Sequence, residues 1–181
     1  LGDNTDELGA SEYLLRVHGE VAGAPPRLDL ERERALVDAL LVAFRAGAIR
    51  SAHDCADGGL AVALAECVMM DRSAMTGARI DLSAWSGLPL RSLLFGEAQS
   101  RVVVSTPDPA AVLAIAGRRG LPAAAIGTVN AASGLLEVTV GSRRMRASVK
   151  LLADAYHEAI PRIMQRGASA QDVALASDSV V

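Results

Sequence analysis

Apolar residues along this chain fall in short blocks of changing period, and the blocks predict helices alternating with strands. After a polar, glycine-containing lead-in from Leu1 to Ala10, the stretch Ser11 to His18 predicts a short helix with Ser11 as N-cap and Gly19 at its end. Gly23-Ala24-Pro25-Pro26 breaks the chain, and Asp29 then caps an amphipathic helix whose buried stripe is expected to be Val37, Leu40, Leu41 and Phe44. A strand from Ala48 to Ala52 leads through His53-Asp54-Cys55-Ala56-Asp57-Gly58-Gly59 into Leu60 to Met70, apolar on nearly every side and so a buried helix.

Further along, Ala78 to Leu82 predicts a strand, Leu88 to Leu94 a short helix, and Arg101 to Ser105 a β-branched strand that ends at Thr106-Pro107-Asp108-Pro109. Ala110 to Arg119 is helical and Ala123 to Val129 extended. Leu135 to Val140 and Arg143 to Val149 flank Gly141-Ser142 at the spacing of a tight hairpin, with Leu136, Val138, Met145 and Ala147 facing inward. A last helix, Lys150 to Met164, places Leu152, Ala155, Tyr156, Ala159 and Ile163 on one side and must kink or break at Pro161. Beyond Arg166 no apolar period remains, so one domain over 1–166 and a disordered tail over 167–181 are expected. Strands separated by helices, with one late hairpin, indicate an α+β fold: a mixed, mainly antiparallel sheet covered by helices.

Composition narrows the function classes. Apolar residues make up 51% of the 181, enough for a substantial core, and a net charge of -3 supplies no field that would gather nucleic acid or an acidic membrane. No apolar run approaches bilayer length, and the start Leu1-Gly2-Asp3-Asn4 has no targeting pattern. That start, lacking an initiator Met, suggests a piece of a longer chain. Two cysteines cannot make a disulfide framework, and Cys67 lies in an apolar run where a buried free thiol is expected; a reducing, cytoplasmic setting fits.

Two segments carry candidate chemistry. His53, Asp54, Asp57, Gly58 and Gly59 turn from a strand into a buried helix, where backbone N–H groups favour an anion and glycines admit a ligand closely. Asp54 and Asp57 suit Mg²⁺ held through water, whereas the plain structural alternative has Asp57 merely capping the helix. Glu97, Gln99 and Arg101 alternate at strand spacing, which would project a carboxylate, an amide and a guanidinium from one face; the alternative is a self-contained Glu97–Arg101 ion pair. His18 and His157 are isolated, Arg143, Arg144 and Arg146 suit a solvated hairpin edge, and neither a P-loop, a Rossmann glycine fingerprint nor a serine-nucleophile motif is present.

Three segments in this order, Leu1-Gly-Asp-Asn-Thr-Asp-Glu-Leu-Gly-Ala-Ser-Glu-Tyr-Leu14, Ser51-Ala-His-Asp-Cys-Ala-Asp-Gly-Gly-Leu-Ala-Val-Ala-Leu-Ala-Glu66 and Leu94-Phe-Gly-Glu-Ala-Gln-Ser-Arg101, resemble the last domain of the phosphoribosylformylglycinamidine synthase family. Ile126-Gly127-Thr128-Val129 also fits, while Ala56 stands where that family commonly has serine. The resemblance implies the fold of the C-terminal domain of aminoimidazole ribonucleotide synthetase. It implies a purine-biosynthesis ligase that uses Mg²⁺ and ATP to join formylglycinamide ribonucleotide with ammonia from glutamine. It further implies upstream ATP-binding halves that carry the catalytic groups, glutaminase and small bridging subunits as partners, and an isolated domain without activity. In that setting His53, Asp54, Asp57, Gly58, Gly59, Glu97, Gln99 and Arg101 edge a nucleotide, phosphate or substrate site, with no catalytic residue and no metal ligand assigned to this chain. The equivalent half of a related ATP-using synthetase or kinase, and a ligand-free scaffold domain, are the alternatives.

Overall fold

The computed structural model describes residues 1–73 and 75–165, so the tail expected beyond Arg166 lies outside the described residues. A π-helical turn, Leu14–His18, closes at Gly19 with φ +71°. Helix α1, Leu30–Arg45, starts where Asp29 Oδ1 accepts the Glu31 and Arg32 N–H groups at 3.0 and 3.1 Å. Its buried face is Leu36, Ala39 and Ala43, while Val37, Leu41 and Phe44 are exposed, Phe44 by 73%. The expected stripe is thus rotated by about one position, with Leu40 only partly buried. Almost every residue from Leu36 to Phe44 is apolar, so periodicity leaves two stripes open; the small Ala39 and Ala43 let the helix approach its neighbours most closely.

Strand β1, Ser51–Asp54, begins three residues later than the sequence suggests. Gly47, at φ +65°, and Ala48 still donate to Phe44 and Ala43 carbonyls, so the chain closes α1 before it extends. Helix α2, Gly59–Met69, strand β2, Gly77–Asp81, helix α3, Leu90–Phe95, and strand β3, Val102–Ser105, follow. Then come α4, Pro109–Gly117, capped by Asp108, β4, Gly127–Asn130, and the hairpin of β5, Leu135–Val140, with β6, Arg143–Ser148. Gly141 sits at φ +58°, the left-handed conformation that the tight turn demands. Helix α5, Val149–His157, turns at Glu158 and resumes over 159–165, a break that spares the missing N–H of Pro161.

Pairing is mainly antiparallel and mixed, as expected, but it is divided between two sheets: β1-β3, and β4-β2-β5-β6 with β2 and β5 parallel. Each sheet has its own core. Helices α1 and α4 bury Leu36, Ala39, Val112 and Ile115 with Val102 of β3, whereas α2, α3 and α5 bury Leu60, Leu64, Leu93 and Val149 with Ile80, Leu136 and Val138 of the four-stranded sheet. The thiols reverse one expectation: Cys67 is exposed, and Cys55, at the end of β1, is the buried one. No helix among the described residues is long and apolar enough to cross a membrane.

Candidate functional site

The two candidate segments meet, and the lead-in meets both. Gly58 and Gly59, at φ +79° and +69°, bend the chain from β1 into α2. A Cβ on Gly59 would stand 2.4 Å from the Gly96 carbonyl oxygen, so this glycine admits the protein's own backbone where a ligand was expected. The N-terminus of α2 has no cap from its own neighbourhood. Instead Glu97 Oε1 accepts the Gly58 N–H at 2.8 Å and the Glu12 N–H at 2.9 Å. A carboxylate therefore already occupies the positive end of the helix, and Asp57, exposed beside it, is not the cap.

Residues 97–101 do not alternate as a strand, because Ser100 takes φ +59° and β3 starts only at Val102. Arg101 is 6% exposed and donates to Gly96 O at 2.5 Å, Ala98 O at 3.1 Å and Asn4 Oδ1 at 3.0 Å. Burial pushes its guanidinium down from the ordinary arginine range. Gln99 stays exposed, its Nε2 3.2 Å from Glu97 O. The lead-in is tied on by Asn4 and by Asp6, whose Oδ1 accepts the Ser92 hydroxyl at 2.6 Å. His53 turns away toward α2, with Nε2 3.3 Å from Glu66 Oε2.

A cavity of about 250 Å³ opens where these segments join, with Asp54, Asp57, Glu97, Gln99 and Arg101 on its wall. Glu33 and Ser100 complete it, joined by a 2.6 Å bond from the Ser100 hydroxyl to Glu33 Oε2. Neither was among the candidates; Glu33 comes from α1, 67 residues before Ser100, and no spacing rule connects them. Four carboxylates face the cavity against one guanidinium already bonded to neutral oxygens, so the wall repels phosphate and favours hydroxyl, amide or ammonium donors. No group of three or more His, Cys, Asp or Glu among the described residues is placed to hold a metal ion. These residues therefore do not by themselves fit a magnesium-bound polyphosphate.

The bonds at Glu97 give a direct test. Glu97→Ala is expected to lower stability by about 2 to 4 kcal/mol, because two partly buried N–H groups lose a charged acceptor, with Glu97→Gln retaining part of the loss. Asp57→Ala should leave the urea midpoint unchanged. A stable Glu97→Ala chain, or a destabilised Asp57→Ala chain, would reassign the cap.

Residues 1–138 match the family described as AIR synthase related protein, C-terminal domain. The chain belongs to that family. Among curated relatives, phosphoribosylformylglycinamidine synthase subunit PurL of Anaeromyxobacter sp. (strain K) is 39% identical over 179 residues, covering 93% of this chain. The Moorella thermoacetica subunit of the same name is 39% identical over 168 residues, covering 92%. The chain spans 22% of the length of each. Two solved structures of Thermotoga maritima PurL share the AIR synthase related C-terminal fold. The one complexed with FGAR has a TM-score of 0.56 at 28% identity, over 67% of this chain and 21% of that one; the one complexed with ATP has 0.62 at 24%, over 81% and 24%.

Proposed function

We propose that this chain is the C-terminal domain, over residues 1–166, of a phosphoribosylformylglycinamidine synthase. The parent reaction joins formylglycinamide ribonucleotide, ATP and glutamine-derived ammonia to give formylglycinamidine ribonucleotide, ADP and phosphate, in the cytoplasm. What carries the proposal is the 39% identity over 93% of this chain to subunits bearing that name. The complexes of Thermotoga maritima PurL with ATP and ADP support nucleotide use by the parent, and the structure of PurLQS from the same organism supports partner subunits; a glutaminase and a small bridging protein are the partners this proposal assigns.

Within that enzyme the exposed rim residues Asp54, Asp57 and Gln99 take hydrogen-bond donors of the substrate edge, and His53, Gly58, Gly59, Glu97 and Arg101 hold the rim in place. Phosphates and Mg²⁺ fall to the rest of the parent, because the acidic wall here does not suit them. The chain alone is therefore inactive. Exchanging this chain for the corresponding segment of the Anaeromyxobacter subunit should restore purine-independent growth to a bacterium lacking the enzyme, whereas the chain by itself should not. A folded chimera without turnover, or growth supported by the chain alone, would overturn the assignment.

A further inference from the structure

The four-stranded sheet packs one face on α2, α3 and α5, and its opposite face carries Arg79, Asp81, Glu137, Thr139, Arg144 and Arg146. Its last strand, β6, has no neighbour on the outer side among the described residues. The bond from Val149 N–H to Gly134 O lies one step beyond the Leu135–Ser148 pair and fixes the phase of the hairpin. Arg143, Met145 and Ala147 therefore exchange bonds with β5, and the N–H and C=O groups of Arg144 and Arg146 point outward. Among the described residues no hydrogen bond reaches these groups.

Side chains on the opposite face line up in rows across the strands. Thr128, Arg79, Glu137 and Arg146 lie side by side, and Glu137 accepts from Arg79 Nε at 3.3 Å and from Arg146 Nε at 2.7 Å. The row thus runs positive, negative, positive and stops at the open edge. In the next row Arg144 stands beside neutral Thr139, and no carboxylate among the described residues pairs with it. We propose that the outer edge of β6 docks an extended segment of a partner protein, which adds a fifth strand and sets carboxylates at alternate positions beside Arg144 and Arg146. Charge dictates the next member of each row, because opposite charges on neighbouring strands attract and like charges repel. A second copy of β6 is excluded on that ground, since its arginines would meet these. Nor does any of the six described strands carry two carboxylates at alternate positions. On the core face the added strand lays apolar residues beside Met145, which is only partly buried. None of these residues lines the acidic cavity, so the inference stands apart from the assignment made above.

The peptide Thr-Val-Glu-Val-Glu-Val-Thr carries the required pattern, and Thr-Val-Lys-Val-Lys-Val-Thr reverses its charge. Fluorescence anisotropy should show saturable binding of the acidic peptide, about tenfold tighter than the basic one. The double variant Arg144→Thr, Arg146→Thr should weaken it about fivefold or more, with its melting temperature confirming that the chain still folds. At saturation, amide exchange followed by NMR should slow about tenfold at Arg144 and Arg146. No binding, or equal binding of the two peptides, would leave the arginines as a solvated edge and overturn the proposal. Binding without slowed exchange would show charge attraction without strand pairing and overturn it too. Slowing in the peptide-free chain that grows with protein concentration would assign the edge to a second copy, again overturning it.

Discussion

Arg101→Met is expected to lower the unfolding free energy by about 3 to 5 kcal/mol, because three acceptors inside the protein lose one charged donor at once. Gly96 O and Ala98 O belong to the turn that carries Glu97, and Asn4 belongs to the lead-in, so a single guanidinium fixes both segments. Arg101→Lys should recover only part of the loss: an ammonium keeps the charge but cannot reproduce three bonds fanned across one plane. Urea denaturation of the three chains measures this directly. If Arg101 served instead to bind a phosphate, Arg101→Met would melt like the parent chain and lose only ligand affinity.

The three motifs that carry the family resemblance thus owe much of their pattern to one interlock. Asn4 and Asp6, the Gly58-Gly59 bend, and Ser92 to Arg101 meet through bonds spanning 39 to 97 residues. A sequence shows residue types and local spacing, so Glu97, Arg101 and the paired glycines stood out, but what they touch is set by contacts of that length. Each is bonded to, or packed on, the protein's own backbone, and Arg101 also holds the Asn4 side chain. Local signals fared better. The cap Asp29 and the hairpin glycine Gly141 act within a few residues of themselves, and each lies where the chain predicts it. Helix α1 shows the limit in between, since an apolar run with two possible stripes needs α4 and β3 to choose one. Division of the strands into two sheets was likewise not legible, because which strand edges pair is set by contacts between segments far apart in sequence.

Chemistry follows from the same interlock. With Glu97 and Arg101 satisfied internally, what remains accessible at the cavity is an acidic rim with one amide, suited to hydrogen-bond donors and unsuited to phosphate. Under the proposed assignment such a domain positions and encloses, and phosphoryl transfer falls to the rest of the parent.

Gly59→Ala separates packing from ligand approach at the bend. The new Cβ would lie 2.4 Å from Gly96 O and 2.9 Å from the Phe95 carbonyl carbon, both backbone atoms that no rotamer change can move. A left-handed φ of +69° adds strain for any residue with a side chain, and together these should cost about 3 to 5 kcal/mol, or prevent folding. Gly58→Ala should cost less, about 1 to 3 kcal/mol, since its Cβ meets chiefly the Val62 side chain, whose shift is easier than a backbone shift. For a chain of this size the Gly59 loss corresponds to a melting temperature lower by roughly 6 to 20 °C, readable by circular dichroism. A Gly59→Ala chain that melts like the parent, while the chimera carrying it loses turnover, would show that the glycine is there for a ligand and not for α3.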